Sequence, residues 1–285
     1  MKPGARATDM HVCPQFTGPI PHVGGPIIPA APTPTQAETL QAARLADYAF
    51  CVGPQDVVFQ GASTVLVGGL PFAGRFDSTA HSGVIMMAAS TVMLGGPTFS
   101  LPPNFRVRGG AAFQNATIRD LYYLSTLPSG RALMQRLEDS GETITFVPES
   151  DPHNSFCSPA SDFLARHGIP TGSTVSYNPD VALRAYDSGN NLIDMPPQAV
   201  LGHEMVHALN NAEGTHHYGT DPAGPATQPG IEEEESSAIG TGSHSGDYPT
   251  ENDLRNDMGG GVGRRDNHYG QNTPAPTGNR RPGGY

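Results

Sequence analysis

Hydrophobic and polar positions follow two different rules along this chain. In the first hundred residues apolar positions come in short β-branched runs that end on glycine pairs: "ASTVLVGG" at 62–69 returns as "ASTVMLGG" at 89–96. Each run reads as a short strand closed by a glycine turn. A charged turn precedes each, "RLADYAFC" at 44–51 and "RFDSTAH" at 75–81, and "TDMHVC" at 8–13 has the form of a first copy. In all three an aspartate (Asp9, Asp47, Asp77) stands four residues before a cysteine or histidine (Cys13, Cys51, His81), and "PHVGGPI" at 21–27 echoes "AHSGVI" at 80–85. Repeated short strands with regular turns predict a layered all-β unit over residues 1–100.

"GGPTFSLPPNF" at 95–105 breaks this pattern, and residues 101–112 are expected to form a linker. Beyond it the period lengthens to that of a helix. "NATIRDLYYLS" at 115–125 places Ile118, Leu121 and Tyr122 on one face, and "SGRALMQRLEDSG" at 129–141 repeats the spacing. "TITFVP" at 143–148 and "STVSYNP" at 173–179 read as strands, the second a candidate edge for an extended peptide. A further helix carries "LGHEMVHALNN" at 201–211, with Pro196 and Pro197 to open it and Gly214 to stop it. The order predicts an α+β domain over 113–270, followed by a Gly-rich tail at 271–285.

That last helix holds the most specific chemistry. Residues four apart lie one above the other on a helix face, so His203 and His207 can direct two imidazoles at one metal ion. Glu204, one step round, reaches the edge of that ion, where a base must sit to take a proton from a bound water. The competing reading is a pair of structural histidines on an amphipathic helix. Candidates for a third ligand are Glu213, the pair His216 and His217, and the glutamates of "GIEEEESSAIG" at 230–240. In the β repeat, His11, Cys13, His22, Cys51 and His81 could clip a unit too small for a large core. The repeat register favours Cys13 over His11.

Composition narrows the partners. The 285 residues include 35 glycines and 28 prolines but no tryptophan, and the formal charge is −11. That balance argues against nucleic acid, which needs concentrated Lys and Arg; the nearest basic group is Arg264, Arg265, Arg280 and Arg281. Three cysteines at wide spacing do not make a disulfide framework. The N-terminus lacks the apolar core of a secretory signal, and the least polar stretch, 84–96, is too short for a membrane span.

Two resemblances sharpen these expectations. Residues 1 to about 100 resemble PAAR-repeat proteins through "PHVGGPI", "GASTVLVGGLPFAGRFDSTAHSG" and "ASTVMLGG", although Pro71 to Arg75 read "PFAGR" where the family has Pro-Ala-Ala-Arg. The resemblance implies a PAAR-like cone on a trimeric VgrG-type spike, with a structural zinc held by His11, His22, Cys51 and His81. Residues 113–269 resemble the type III effector metallopeptidases through "LPSGRALMQRLEDSGETITFVP", "PPQAVLGHEMVHALNNAEGT", the Glu-rich run and "TENDLRNDMG". That implies a zincin-like fold with a catalytic zinc on His203, His207 and either Glu234 or Glu235, and Glu204 as base. "RRDNHYG" is similar to an Arg-x-x-Tyr element that steadies the transition state, implying roles for Arg265 and Tyr269, though four residues separate them rather than three. Together they imply a toxin made in the bacterial cytoplasm and secreted through the type VI system. It would act on a protein substrate in a target cell, with a cognate immunity protein or chaperone as further partner. The alternatives are a non-enzymatic spike tip with a metal-stapled binding domain, and a zinc amidase acting on cell wall.

Overall fold

Three turns of one construction organise the N-terminal part of the computed structural model, which describes residues 1–226, 228–260, 262–266, 268 and 270–272. The Asp9, Asp47 and Asp77 carboxylates each accept a backbone N–H from three residues earlier: Arg6 at 2.7 Å, Arg44 at 2.9 Å and Gly74 at 2.7 Å. The short acidic side chain satisfies the turn's own backbone. That bond accompanies left-handed backbone at Thr8, Ala46 and Phe76, with φ of 72°, 65° and 70°. The turns are joined in a ring. Ala5 N–H bonds Ala73 O, Ala73 N–H bonds Ala43 O, and Ala43 N–H bonds Ala5 O, each at 2.9 Å.

One core cluster repeats the same threefold pattern, with Ala5, Ala43 and Ala73 beside Ile27, Val58 and Ile85. A second takes Ala62 and Val67 from the first sequence copy and Ala89 and Leu94 from the other. Short strands connect these layers: Gln60–Val67 pairs with Leu70–Phe72 and Thr98–Ser100, and Gly24–Ile28 with Tyr48–Cys51. Lys2–Pro3 pairs with Met93–Leu94 and closes the ring of segments.

The chain divides into two compact units, Met1–Leu101 with Gly109–Arg119, and Pro102–Arg108 with the described residues from Asp120 onward. Two expectations change. The N-terminal unit is strand-rich over 1–100 but does not stop there, because the first turns of helix α1 (Ala111–Thr126) also belong to it, Asn115 donating to Ala46 O. Residues 101–112 are not a free linker either: Phe105–Val107 is a strand paired parallel with Ile144–Pro148.

The C-terminal unit is mixed α/β. Its main sheet runs Phe105–Val107, Ile144–Pro148, Ser173–Tyr177, Phe156–Pro159, with the last strand antiparallel. Ser173–Tyr177 is therefore central, and both of its edges are taken. The sequence places it as an edge only because Phe156–Pro159 lies inside an apparent long loop. Against Phe156–Pro159 and Ser173–Tyr177 of this sheet packs α4 (Pro197–Glu213), α2 (Pro128–Ser140) packs in turn on α4, and the short α3 (Asp162–Arg166) follows Phe156–Pro159 in the chain. Pro196 caps α4, Pro197 opens it and Gly214 ends it at φ 69°. α5 (Glu233–Ile239), a 3-10 turn at Gly242–His244 and α6 (Glu251–Met258) follow. Gly202 lets α6 approach α4: a Cβ there would stand 2.2 Å from Leu254 Cδ1. Among the described residues no helix is long and apolar enough to cross a membrane.

Candidate active site and metal centres

The helical period sets the site. His203 and His207 stack on one face of α4 with their Nε2 atoms 3.0 Å apart. Glu235, from α5, brings Oε2 to 3.2 Å from His203 Nε2 and Oε1 to 3.5 Å from His207 Nε2. Each ring has a carboxylate behind it: Glu251 Oε2 lies 2.9 Å from His203 Nδ1, and Glu234 Oε1 2.9 Å from His207 Nδ1. Protons held on Nδ1 leave both Nε2 lone pairs facing each other and Glu235. Two acceptors at that distance repel unless a proton or a metal cation lies between them, and carboxylates behind metal-bound imidazoles are the usual support. The donor set thus fits a metal ion.

Electrostatics agree. Burial opposes charge on both histidines, but Glu235 and Glu251 outweigh it at His203, and Glu234 and Glu235 at His207; both are raised above the usual imidazole range. Burial also opposes charge on Glu235, yet His203, His207 and His268 hold its carboxyl below the usual range. Burial, only partly offset by the two histidines, pushes the Glu204 carboxyl up. Glu251 is wholly buried, and Arg265 and Arg255 overcome that burial to keep it well below its ordinary value.

Of the two glutamates from the sequence, Glu235 faces both Nε2 atoms and Glu234 stands behind His207. Glu213 is turned away, held by Arg136 at 2.8 Å, and His216 bonds Asn211 Oδ1 at 2.9 Å. Arg265 is buried with Nη1 2.7 Å from Glu251 Oε2 and Nη2 2.6 Å from His268 O, so its fork engages the support of His203. Tyr269 lies outside the described residues. His268, which stands three after Arg265, was missed: its Nδ1 is 2.6 Å from Glu235 Oε2, and the Arg-x-x spacing was the available signal. Glu251 was also missed, although it lies in "TENDLRNDMG", a stretch on which the resemblance already rests. A cleft lined by Asn154, Ser155, Phe156 and Cys157 opens onto His203, Glu204 and His207.

In the N-terminal unit Cys13, His22, Cys51 and His81 converge, their ligand atoms all within 4.8 Å of one another. Cys13 Sγ lies 3.7 Å from Nδ1 of both His22 and His81, close to the roughly 3.5 Å expected between sulfur and nitrogen on one tetrahedral ion. Thr17 Oγ1 bonds His22 Nε2 at 2.7 Å and turns Nδ1 inward. Burial, with Cys13 beside it, pushes the Cys51 thiol up to about 12. His11 lies outside this group, because its Nδ1 is 2.9 Å from Gly25 O and its Nε2 faces Asp56 at 3.4 Å. The aspartate turn explains the difference: the residue four after each Asp is delivered to the centre, and in the first copy that residue is Cys13.

A strand-rich unit of three repeated turns, followed by an α/β unit built round a His–Glu–His helix, defines a two-part protein with a hydrolase-like cleft. The chain belongs to the Peptidase_M91 family of effector proteins, whose model matches residues 103–267, and it carries a PAAR motif over residues 17–87. It is thus a PAAR-linked effector with a peptidase domain. No curated protein matches it in sequence. Among solved structures it is similar to the catalytic domain of Clostridium botulinum neurotoxin serotype F, at 16% identity and TM-score 0.31 over 37% of this chain and 38% of that one. The serotype F light chain gives 16% identity and TM-score 0.35, over 46% of this chain and 45% of that one. The botulinum neurotoxin type D light chain gives 16% and 0.36, over 45% and 43%. The chain spans less than half the length of each of these structures.

Proposed function

We propose that this protein is a type VI secretion tip that delivers a zinc-dependent endopeptidase of zincin type into a target cell. One observation carries the enzymatic half: two imidazole Nε2 atoms and the Glu235 carboxylate converge beside Glu204 at the floor of an open cleft. Zinc held by His203, His207 and Glu235 would acidify a water and polarise a substrate carbonyl. Glu204 would act as the base that takes a proton from the attacking water as it adds to the carbonyl, and would return that proton to the amine as the C–N bond breaks; its raised carboxyl suits both roles. Glu234 and Glu251 fix the rings, and Arg255 and Arg265 hold Glu251 charged. His268, on the cleft side of Glu235, is placed to donate to the carbonyl oxygen as charge develops there. Phe156–Pro159 offers the free sheet edge along which an extended peptide can pair.

The delivery half rests on the PAAR motif, which fits a trimeric VgrG-type spike as partner, with a structural zinc on Cys13, His22, Cys51 and His81. In place of limits at 1–100 and 113–270, the tip unit of this reading takes Met1–Leu101 with Gly109–Arg119 and the peptidase unit Pro102–Arg108 with the described residues from Asp120 onward; of the tail at 271–285, residues 273–285 lie outside the described residues. Glu204→Gln tests the chemistry. The side chain keeps its size but cannot accept a proton, so zinc content and folding should persist while peptide hydrolysis falls about 10²–10⁴-fold. Undiminished toxicity of this variant in a target cell, with its zinc in place, would end this reading in favour of a binding module.

A further inference from the structure

We propose that His217, Glu233 and His244 form a second metal site in the C-terminal unit, one that takes a divalent transition ion of the zinc type. The three come from separate elements: the loop after α4, the first turn of α5 and the 3-10 turn. Their ligand atoms all lie within 4.8 Å of one another. Glu233 Oε1 stands 3.9 Å from His217 Nδ1 and 3.7 Å from His244 Nε2. Both gaps are too long for hydrogen bonds. They match the roughly 3–4 Å between donors that share one ion at bonds of about 2 Å.

His244 supplies the independent evidence for a ligand. It is 8% exposed, and its Nε2 is buried without a hydrogen-bond partner. Its other nitrogen, Nδ1, lies 2.7 Å from Asp247 Oδ2. That carboxylate keeps the proton on Nδ1 and turns the Nε2 lone pair toward Glu233. An orphaned acceptor aimed at a carboxylate is unfavourable unless a cation lies between them, and a carboxylate–imidazole pair is the common support of a metal-bound histidine.

The turn beneath His244 is built to hold it. Asp221 accepts the Ser243 hydroxyl at 2.5 Å and the Ser243 N–H at 3.0 Å. Gly242 has φ 54°, and a Cβ there would stand 2.0 Å from Asp221 Oδ2. Two imidazoles and one carboxylate suit zinc, cobalt or nickel rather than magnesium or calcium, which prefer all-oxygen sets. His217 and Glu233 keep 29% and 31% of their side chains exposed, which leaves room for water on the outer side.

The site adjoins the active site without sharing a ligand with it. Glu233 precedes Glu234 and Glu235 on α5, and the His217 N–H donates to Glu234 Oε2 at 2.8 Å. An ion here therefore ties the loop after α4 to the helix that carries Glu235.

Zinc titration of the metal-stripped full chain against a chromogenic chelator tests the assignment. The double variant His217→Gln with His244→Gln should bind one equivalent fewer than the parent. The same difference should persist when His203 and His207 are both alanine. Equal stoichiometry in a double variant with unchanged circular dichroism overturns the site and marks any extra zinc as adventitious. A difference that vanishes in the alanine background overturns it too, because the lost ion was then the one on His203 and His207. Should the double variant not fold, Asp247→Asn keeps all three ligands and should weaken that equivalent about 10–100-fold; unchanged affinity overturns the proposal. The count is independent of whether Glu204→Gln abolishes hydrolysis, so the two readings can fail separately.

Discussion

Glu251 touches no substrate-facing atom, yet the centre on α4 depends on it. Its Oε2 lies 2.9 Å from His203 Nδ1, and it is the counter-charge for buried Arg255 and for Arg265. Glu251→Gln keeps the shape and an acceptor for Nδ1 but removes the charge. Zinc affinity should fall about 10–100-fold, and two buried guanidiniums would lose their partner at a cost of about 3–5 kcal/mol. Competition with a chelator reads the first effect and denaturant unfolding the second. Unchanged values for both would remove Glu251 from the site's support. Glu204→Gln should leave both measurements nearly unchanged, since Glu204 is not among the groups that face the two Nε2 atoms. The pair of variants therefore separates holding the metal from using it.

α4 and α6 act together at the level of elements. α6 carries Glu251 and reaches His203 only because residue 202 has no side chain. Gly202→Val drives a methyl group into Leu254, and overpacking of this kind costs about 1–3 kcal/mol. The strain falls on the helix contact that sets the Glu251–His203 distance. Both the unfolding midpoint and zinc affinity should drop, although no ligand is altered. Stability loss with undiminished zinc affinity would show that α6 does not position the ring. The N-terminal unit solves a similar problem by other means. Its cores are small residues such as Ala5, Ala43 and Ala73; the hydrogen-bonded ring adds to their apolar burial, and a metal on the proposed Cys2His2 site would add further.

At the scale of the whole molecule the proposed function gives the two halves separable tasks. The PAAR-bearing unit and the peptidase unit each carry a metal-type cluster of their own. Cys51→Ser removes one of the proposed ligands and should cost one zinc and delivery into target cells. Hydrolysis of a peptide substrate by the purified chain should persist. Glu204→Gln should show the reverse, with delivery intact and hydrolysis lost. A secretion assay beside a cleavage assay on the same two variants checks both halves. Loss of hydrolysis in a folded Cys51→Ser chain would overturn the division of labour.

Features set by a few consecutive residues were legible in the sequence. A helix period fixes His203 and His207 on one face wherever the helix is placed, and Pro197 and Gly214 mark its ends by their own backbone limits. The Asp-turn register likewise pointed to Cys13, Cys51 and His81, because a side chain bonded to its own turn carries its geometry with it. Packing between distant segments decided the rest. Four consecutive glutamates are chemically equal in sequence; only the angle at which α5 meets α4 turns Glu235 to the Nε2 atoms, Glu234 to the back of His207 and Glu233 toward His244. Ser173–Tyr177 reads as an edge until Phe156–Pro159 pairs with it. Glu251 and Asp247 carry no periodic signal, because a supporting contact needs only proximity, and proximity across the chain exists only in the folded molecule.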